Sequence, residues 1–591
     1  MDKNEVSSDE IIQGARVIAI VCAGVAIAPA AVTALILWKR PTISRNGGAE
    51  RRVGAGLVFI ALSYTVWVGL LAPDPFFAWE PLRVCLFRGL KLDALLRIID
   101  VGWLGGMGVV LCLSPAISFF KPKRDFIRAS DFKGKVKHFH GIQEAFENPL
   151  TAPIGVDVRD GTVVALDQKR RIHHVMTLGA TGTGKTTLQL ILALHAVRHG
   201  QPLVILDPKG DLSSLEQWIK QGRKLSPDFD QRFRAFTMSD PKRSASYNPL
   251  KHGNANQIKD RIMEALNWSE QYYQSVAGDF LTLLTSSSEY VGVPLTLESV
   301  SHFMLSREKH ASVSKLLKKK ADEGDIKAEI LKERFDLLLK KMKPDDLLGL
   351  QSQLGILNNP TLGHLLSFQD AENEIDLNAV LEKNQIAYFQ LDTLGNPDTA
   401  RRLGRMIVED LKGLASQVFH EVPEEKRKFF PIFIDEFGSF ASKEFVEFLK
   451  QSRSAKFAVH LFSQGSEDLD VVSKEFGRQA RSNPMTKIAL RLDDSETVNE
   501  ICSMAGTVDS LEQSYQVEGE WTQTKTGLGN MRETKQMRVE HDVLKNLNVG
   551  QAVVIEKSPS RVIPIQLCDI HLIDFQKPEL GQCRDLLGGK L

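Results

Sequence analysis

The stretch His174-Val175-Met176-Thr177-Leu178-Gly179-Ala180-Thr181-Gly182-Thr183-Gly184-Lys185-Thr186-Thr187 decides the fold. Its apolar start predicts a short buried strand, and the Leu, Ile and Ala spacing over Thr187–Val197 predicts a helix on the far side of a glycine-rich loop. Strand, glycine loop and helix in that order form the context in which a Gly-x-x-x-x-Gly-Lys-Thr stretch cradles phosphates. The glycines let successive backbone N–H groups turn inward, the helix start adds partial positive charge, and Lys185 neutralises the outer phosphate oxygens. Gly179, Ala180, Thr181, Gly182, Thr183, Gly184, Lys185, Thr186 and Thr187 are therefore the candidate ATP contacts, with the Thr186 hydroxyl a candidate Mg²⁺ ligand.

Outward from this loop, Pro202–Leu206 reads as the next strand and ends in Asp207-Pro208-Lys209-Gly210-Asp211, at the carboxyl edge where open α/β sheets place ligands. A plain turn accounts for the Pro and Gly as well as a functional loop does. Far downstream, Phe430-Pro431-Ile432-Phe433-Ile434 closes in two acids. Asp435 is expected to hold Mg²⁺ through water and Glu436 to polarise an attacking water. A further strand, Phe457–Phe462, ends in Ser463-Gln464, which puts an amide in position to sense a γ-phosphate. Arg453, on an expected helix between these strands, has two readings: a finger into a neighbouring subunit's site, or a surface salt bridge.

The 591 residues exceed what one hydrophobic core usually supports, which predicts at least one module besides the nucleotide domain. A formal net charge of +1 excludes any role that needs a strongly basic whole protein, while leaving room for a local basic channel. The six cysteines show no CxxC pair and no zinc-site spacing, so they read as reduced packing residues.

Three apolar runs, Val17–Trp38, Val53–Ala72 and Val101–Phe120, are long enough to cross a hydrocarbon core. The start of the chain is acidic and the first run ends in Trp38-Lys39-Arg40, unlike a cleaved signal peptide. Lys39, Arg40, Arg45, Arg51 and Arg52 crowd one short loop, and Lys121, Lys123, Arg124 and Arg128 follow the third run. By the positive-inside rule both sites face the cytoplasm, together with everything after Lys121.

Between about Asn256 and Phe368 the spacing is helical. The lysines 315, 318, 319, 320, 340, 341 and 343 there have two readings, contacts to phosphates or an acidic partner and, more commonly, solvated faces; Trp268, Tyr272 and Tyr273 read as base-stacking residues or, more commonly, as a core stripe. Tyr515–Arg538 is polar and predicts a hairpin or a mobile loop.

The combination of amino-terminal spans, Gly-Ala-Thr-Gly-Thr-Gly-Lys-Thr, Asp207-Pro208-Lys209-Gly210-Asp211, Tyr247-Asn248-Pro249-Leu250, a helical insertion, Ile434-Asp435-Glu436-Phe437 and Ser463-Gln464 resembles the TraG/TraD coupling proteins of type IV secretion. The resemblance implies an α/β, membrane-anchored, RecA-like P-loop ATPase with an inserted all-α domain and amino-terminal transmembrane helices. It implies a multi-pass protein of the bacterial inner membrane, a homo-hexamer using ATP and Mg²⁺, that links relaxase and single-stranded DNA to the components of a type IV secretion channel. On this pattern Lys185, Glu436, Arg453 and Gln464 are the catalytic residues, Asp435 and Thr186 the metal ligands, and either Arg478 or Arg481 a second finger. The expected layout is an anchor over 1–120, a nucleotide domain over 121–255 and 369–575, the helical insertion over 256–368, and a short tail over 576–591. An FtsK/HerA-like DNA translocase and a recruitment platform for secreted effector proteins are the alternative readings.

Overall fold

The computed structural model describes residues 126–132, 139 and 141–573, apart from 269, 293, 368–371, 443–444, 471 and 519–523. The three apolar runs and the 576–591 tail lie outside the described residues, and no helix among the described residues is long and apolar enough to cross a membrane.

The strands among the described residues are β1 (Thr151–Asp157), β2 (Val163–Asp167), β3 (Val175–Leu178), β4 (Leu203–Asp207), β5 (Phe233–Thr237), β6 (Ile386–Gln390), β7 (Phe430–Ile434), β8 (Phe457–Ser463), β9 (Thr486–Ala489), β10 (Thr507–Glu518), β11 (Thr524–Met537), β12 (Gln551–Lys557) and β13 (Ser560–Leu567). Eleven of them form one sheet in the order β2-β1-β13-β12-β9-β3-β8-β7-β4-β6-β5. The run from β9 to β5 is parallel, and β12, β13, β1 and β2 extend it antiparallel.

The parallel strands read as near-continuous apolar runs because both of their faces are covered. Met176, Leu178, Val204, Leu206, Ile432 and Ile434 point into one core with the helices Pro397–Glu421 and Phe445–Ser452. Their neighbours Val175, Leu203, Ile205 and Phe433 point into a second core, built with the helices Lys185–Arg198 and Leu212–Leu225. Pro431, which has no N–H to give, sits one residue before the pairing of β7 with β4 begins at Ile432.

The strands and helices fall close to where the spacing puts them, with shifts at the ends. The helix after the glycine loop begins at Lys185 rather than Thr187, because Gly184 in the left-handed region serves as its cap. The late strand is Thr486–Ala489, beginning after Asn483-Pro484, since proline cannot donate to a ladder.

Between β5 and β6 the chain passes through the helices Ala255–Ala265, Gln271–Val291, Leu297–Leu305, Arg307–Asp322, Ile326–Lys341 and Leu348–Leu357. The core-stripe reading of the aromatic cluster is corrected here. Trp268 packs against the core, but Tyr272 and Tyr273 are 59% and 39% exposed, on the outward turn that opens Gln271–Val291. Lys315, Lys318, Lys319, Lys340, Lys341 and Lys343 are exposed, as a solvated face requires. The polar segment resolves to the hairpin alternative, with β10 and β11 paired antiparallel as a separate two-stranded sheet. Cys502 and Cys568 are buried free thiols.

One buried ion pair ties the first of these helices to the helix Pro397–Glu421. Arg261 donates to Asp410 at 2.9 Å and to the carbonyls of Pro249 and His252, while the Tyr247 hydroxyl donates to the other Asp410 oxygen at 2.8 Å. Arg261 is 1% exposed and Asp410 6%, so removing one partner strands a charge in the core. Arg261→Met is expected to cost about 3–5 kcal/mol, read as a lowered melting temperature; a loss below about 1 kcal/mol would contradict the pairing.

Candidate functional site

Strand β3 delivers the glycine loop to the carboxyl edge of the sheet. Gly182 and Gly184 take φ of 75° and 117°, a region that residues with a Cβ rarely adopt. Thr183 closes the loop by donating its hydroxyl to the Ala180 carbonyl at 2.8 Å. The Lys185 ammonium folds back on the loop, donating to the Gly179 carbonyl and, at 3.3 Å, to that of Ala180. Burial lowers the pKa of Lys185, and the nearby Glu436 and Asp435 charges work against that fall. Thr186, in the first turn of the following helix, is exposed and Thr187 half-buried.

The sheet order fixes what stands beside the loop. Strand β8 lies between β3 and β7, with Leu178 level with Ser463 and Ile434 level with Leu461. The residues just beyond these strand ends therefore meet. Gln464 stands between the other two: the Thr181 hydroxyl donates to its side-chain oxygen at 3.3 Å, and its amide nitrogen donates to Glu436 Oε1 at 3.0 Å. Asp468 holds the turn that carries Gln464, accepting from the Ser463 hydroxyl at 2.9 Å and from the Gln464 N–H at 3.1 Å. Asp468 was not singled out from the sequence, although an acid four residues after a sensor-like amide is a readable turn signal.

Glu436 has φ 43°, a sparsely populated conformation for a residue with a side chain, of the kind that collects at functional sites. Burial raises its pKa and the Gln464 hydrogen bond opposes the rise. Asp435 is buried and accepts the Glu436 N–H at 3.0 Å on one oxygen and the Lys209 ammonium at 2.8 Å on the other. The Asp207–Asp211 loop is thus both a turn and part of the site. Its Asp207 is buried, accepts the Tyr388 hydroxyl at 2.6 Å, and has its pKa raised by that burial.

These residues fit a magnesium nucleotide. Open-φ glycines leave N–H groups free to turn toward phosphates, and a Cβ at Gly182 would meet nothing within 4 Å, so the loop faces open space there. A buried carboxylate and a threonine hydroxyl are the hard oxygen donors that Mg²⁺ takes. A bound cation would offset phosphate charge, while Lys185 and the loop N–H groups would hold the phosphates and Glu436, turned by Gln464, would orient a water. Glu436 and Asp468 also line a cleft of about 950 Å³ shared with Trp268, Arg401 and Arg405.

Arg453 is elsewhere. It is exposed and lies in the turn between the helix Phe445–Ser452 and β8, a correction of the expected helical position. Its charge is felt by His173 and His174, which precede β3, so it belongs to the amino edge of the parallel sheet. The seven residues of β8 separate it from Gln464 by about 20 Å, beyond the reach of its own side chain. Of the two second-finger candidates, Arg481 is buried and paired with Asp470 at 2.9 Å and Glu500 at 3.0 Å, whereas Arg478 is 77% exposed with Glu475 at 3.8 Å. Only Arg478 of the two is free to extend toward another chain.

Two protein-family models match the chain. Residues 430–551 match the model described as the TraM recognition site of TraD and TraG, and residues 154–376 match the central domain of the helicase HerA. Similar solved structures include the bacterial conjugative coupling protein TrwBdeltaN70 in an unbound form, at 16% identity and a TM-score of 0.48, covering 74% of this chain and 91% of that one. TrwB with ADP and Mg²⁺ gives 16% and 0.46 over 75% and 93%, and VirB4 of Thermoanaerobacter pseudethanolicus gives 14% and 0.42 over 71% and 97%. No curated protein sequence matches the chain. Over these two segments the chain is thus similar to a HerA-type central domain and to the recognition segment of the TraG/TraD-type coupling proteins.

Proposed function

We propose that the chain is the membrane-anchored coupling ATPase of a conjugative type IV secretion system, hydrolysing ATP to drive relaxase-bound single-stranded DNA toward the channel. The observation that carries this reading is the line Thr181, Gln464, Glu436 beside Lys185 and Asp435, which joins the phosphate loop to the residue that would activate water. The TraD and TraG segment over 430–551 supports the choice of system, because it covers Asp435, Glu436, Arg453 and Gln464. The three apolar runs support an anchor over 1–120 in the bacterial inner membrane, the nucleotide domain then being 121–255 with 369–575, the helical insertion 256–368, and the tail 576–591.

In this reading Lys185 and the loop N–H groups bind the triphosphate, Thr186 and Asp435 take Mg²⁺, Glu436 polarises the water, and Gln464 reports the phosphate to Glu436. Each site is completed by Arg453 of a neighbouring copy, since about 20 Å of β8 separates that side chain from its own loop. A ring of such copies, six by the family pattern, gives the subunits a common axis along which to act on DNA. The cleft beside Glu436 offers a route by which movement at Trp268, Arg401 and Arg405 would alter hydrolysis.

A chromosome-handling translocase is the second reading, favoured by the HerA central-domain match over 154–376. Deletion separates the two: loss of plasmid transfer with normal division supports conjugation, and a segregation defect with normal transfer supports the alternative.

Glu436→Gln is expected to lower kcat by about a hundredfold or more while nucleotide affinity stays within about threefold of wild type, measured by phosphate release and equilibrium binding. Equal activity in the variant would remove Glu436 from the reaction. Arg453→Ala is expected to lower kcat by about a thousandfold. Mixing inactive Arg453→Ala protein with inactive Lys185→Ala protein is expected to restore part of the activity, since mixed neighbours assemble some complete sites. Mixtures as inactive as their components would contradict completion in trans.

A further inference from the structure

The Asp207–Asp211 loop presents a lysine to the site for which the phosphate loop has no equivalent. Asp435 has 6% side-chain exposure, and a lone carboxylate so buried would be costly. The phosphate-loop lysine acts on it only through space, because the hydrogen bonds of the Lys185 ammonium go to the Gly179 and Ala180 carbonyls. The counter-charge is Lys209, 2.8 Å from Asp435 Oδ2.

The backbone under Lys209 is fixed on several sides. The Lys209 N–H donates to Asp207 at 3.0 Å, and the Pro208 carbonyl accepts both the N–H and the hydroxyl of Thr393. Ser239 donates to the Gly210 carbonyl at 2.9 Å, and Gln390 to that of Asp211 at 2.7 Å. Gly210 takes φ 67°, and a Cβ there would press on Asp392 and Ser239 at 3.1 Å. The Lys209 side chain, by contrast, is 44% exposed, so its head can leave Asp435 for water while its Cα stays in place.

We propose that Lys209 is the metal-free counter-ion of this site, a positioning residue whose ammonium keeps Asp435 neutralised and in place until a divalent cation arrives, and which yields that oxygen to it. This inference rests on the nucleotide-site reading above. Lys209 and Lys185 together balance Asp435 and Glu436, so a triphosphate can enter without its metal. A divalent cation must then compete with a tethered ammonium, which separates nucleotide capture from metal engagement.

The test is equilibrium binding of a fluorescent, non-hydrolysable ATP analogue to the full-length protein in detergent, with EDTA and with Mg²⁺, each variant reported as the ratio of metal-free to Mg²⁺ Kd. In Lys209→Met the ratio is expected to rise about fivefold or more, through weaker metal-free binding to a site left with an unbalanced carboxylate. Lys209→Arg, which keeps the charge, should stay within about twofold of wild type. A smaller rise in Lys209→Met, including a parallel loss of affinity in both conditions as a plain phosphate contact would give, overturns the proposal. Should that variant fail to fold, Lys209→Met with Asp435→Asn removes both charges. It is expected to bind the metal-free analogue within about twofold of wild type and to lose most of the Mg²⁺ effect; failure of either overturns the proposal. Lys185→Ala marks the site itself: if wild type and Lys185→Ala bind equally, the nucleotide-site reading falls and takes this inference with it, whereas a Lys185-dependent signal with an unmoved ratio sinks the role of Lys209 alone.

Discussion

Parallel pairing of three neighbouring strands is the constraint on which the site depends. Because β8 is inserted between β3 and β7 in fixed register, the residues that follow their last rungs have no choice but to meet. Thr181, Gln464 and Glu436 come from positions far apart in the chain, and two hydrogen bonds join them across the strand ends. The same parallel run places the start of β8, and Arg453 with it, on the opposite edge. In the proposed reading, pieces split between two edges of one sheet would be joined by stacking copies edge to edge, which is the physical reason for the proposed ring.

Much of this was legible because it is local. A glycine loop between a strand and a helix, and strands ending in Asp435-Glu436 and Ser463-Gln464, carry their meaning within a few residues, and burial of both faces makes parallel strands conspicuous as apolar runs. What was illegible is set by contacts distant in sequence. Nothing near Lys209 announces that it will face Asp435, 226 positions away, nor does the Asp207–Asp211 stretch show that Tyr388 on β6 will fasten it. Arg478 and Arg481 look alike in sequence, yet the carboxylates of Asp470 and Glu500 bury one and leave the other free. Helical spacing likewise failed for Tyr272 and Tyr273, because periodicity gives a face and tertiary packing decides whether anything covers it.

The buried charges divide into two kinds. Arg261 with Asp410 is enclosed on all sides, and its geometry has no evident route to change; it holds helices together. Lys209 with Asp435 sits at a strand end open to water on the lysine side. One pair is mortar and the other is placed to be exchanged, although both are short ion pairs around a buried aspartate. Exposure of one partner is the difference that matters.

In the proposed reading a single copy cannot complete its own site. Specific ATPase activity measured over a dilution series of the full-length protein, alongside its sedimentation, tests this most directly. Activity per subunit is expected to fall toward zero as assemblies dissociate and to recover on reconcentration. Full activity per subunit in a monomer peak would contradict it.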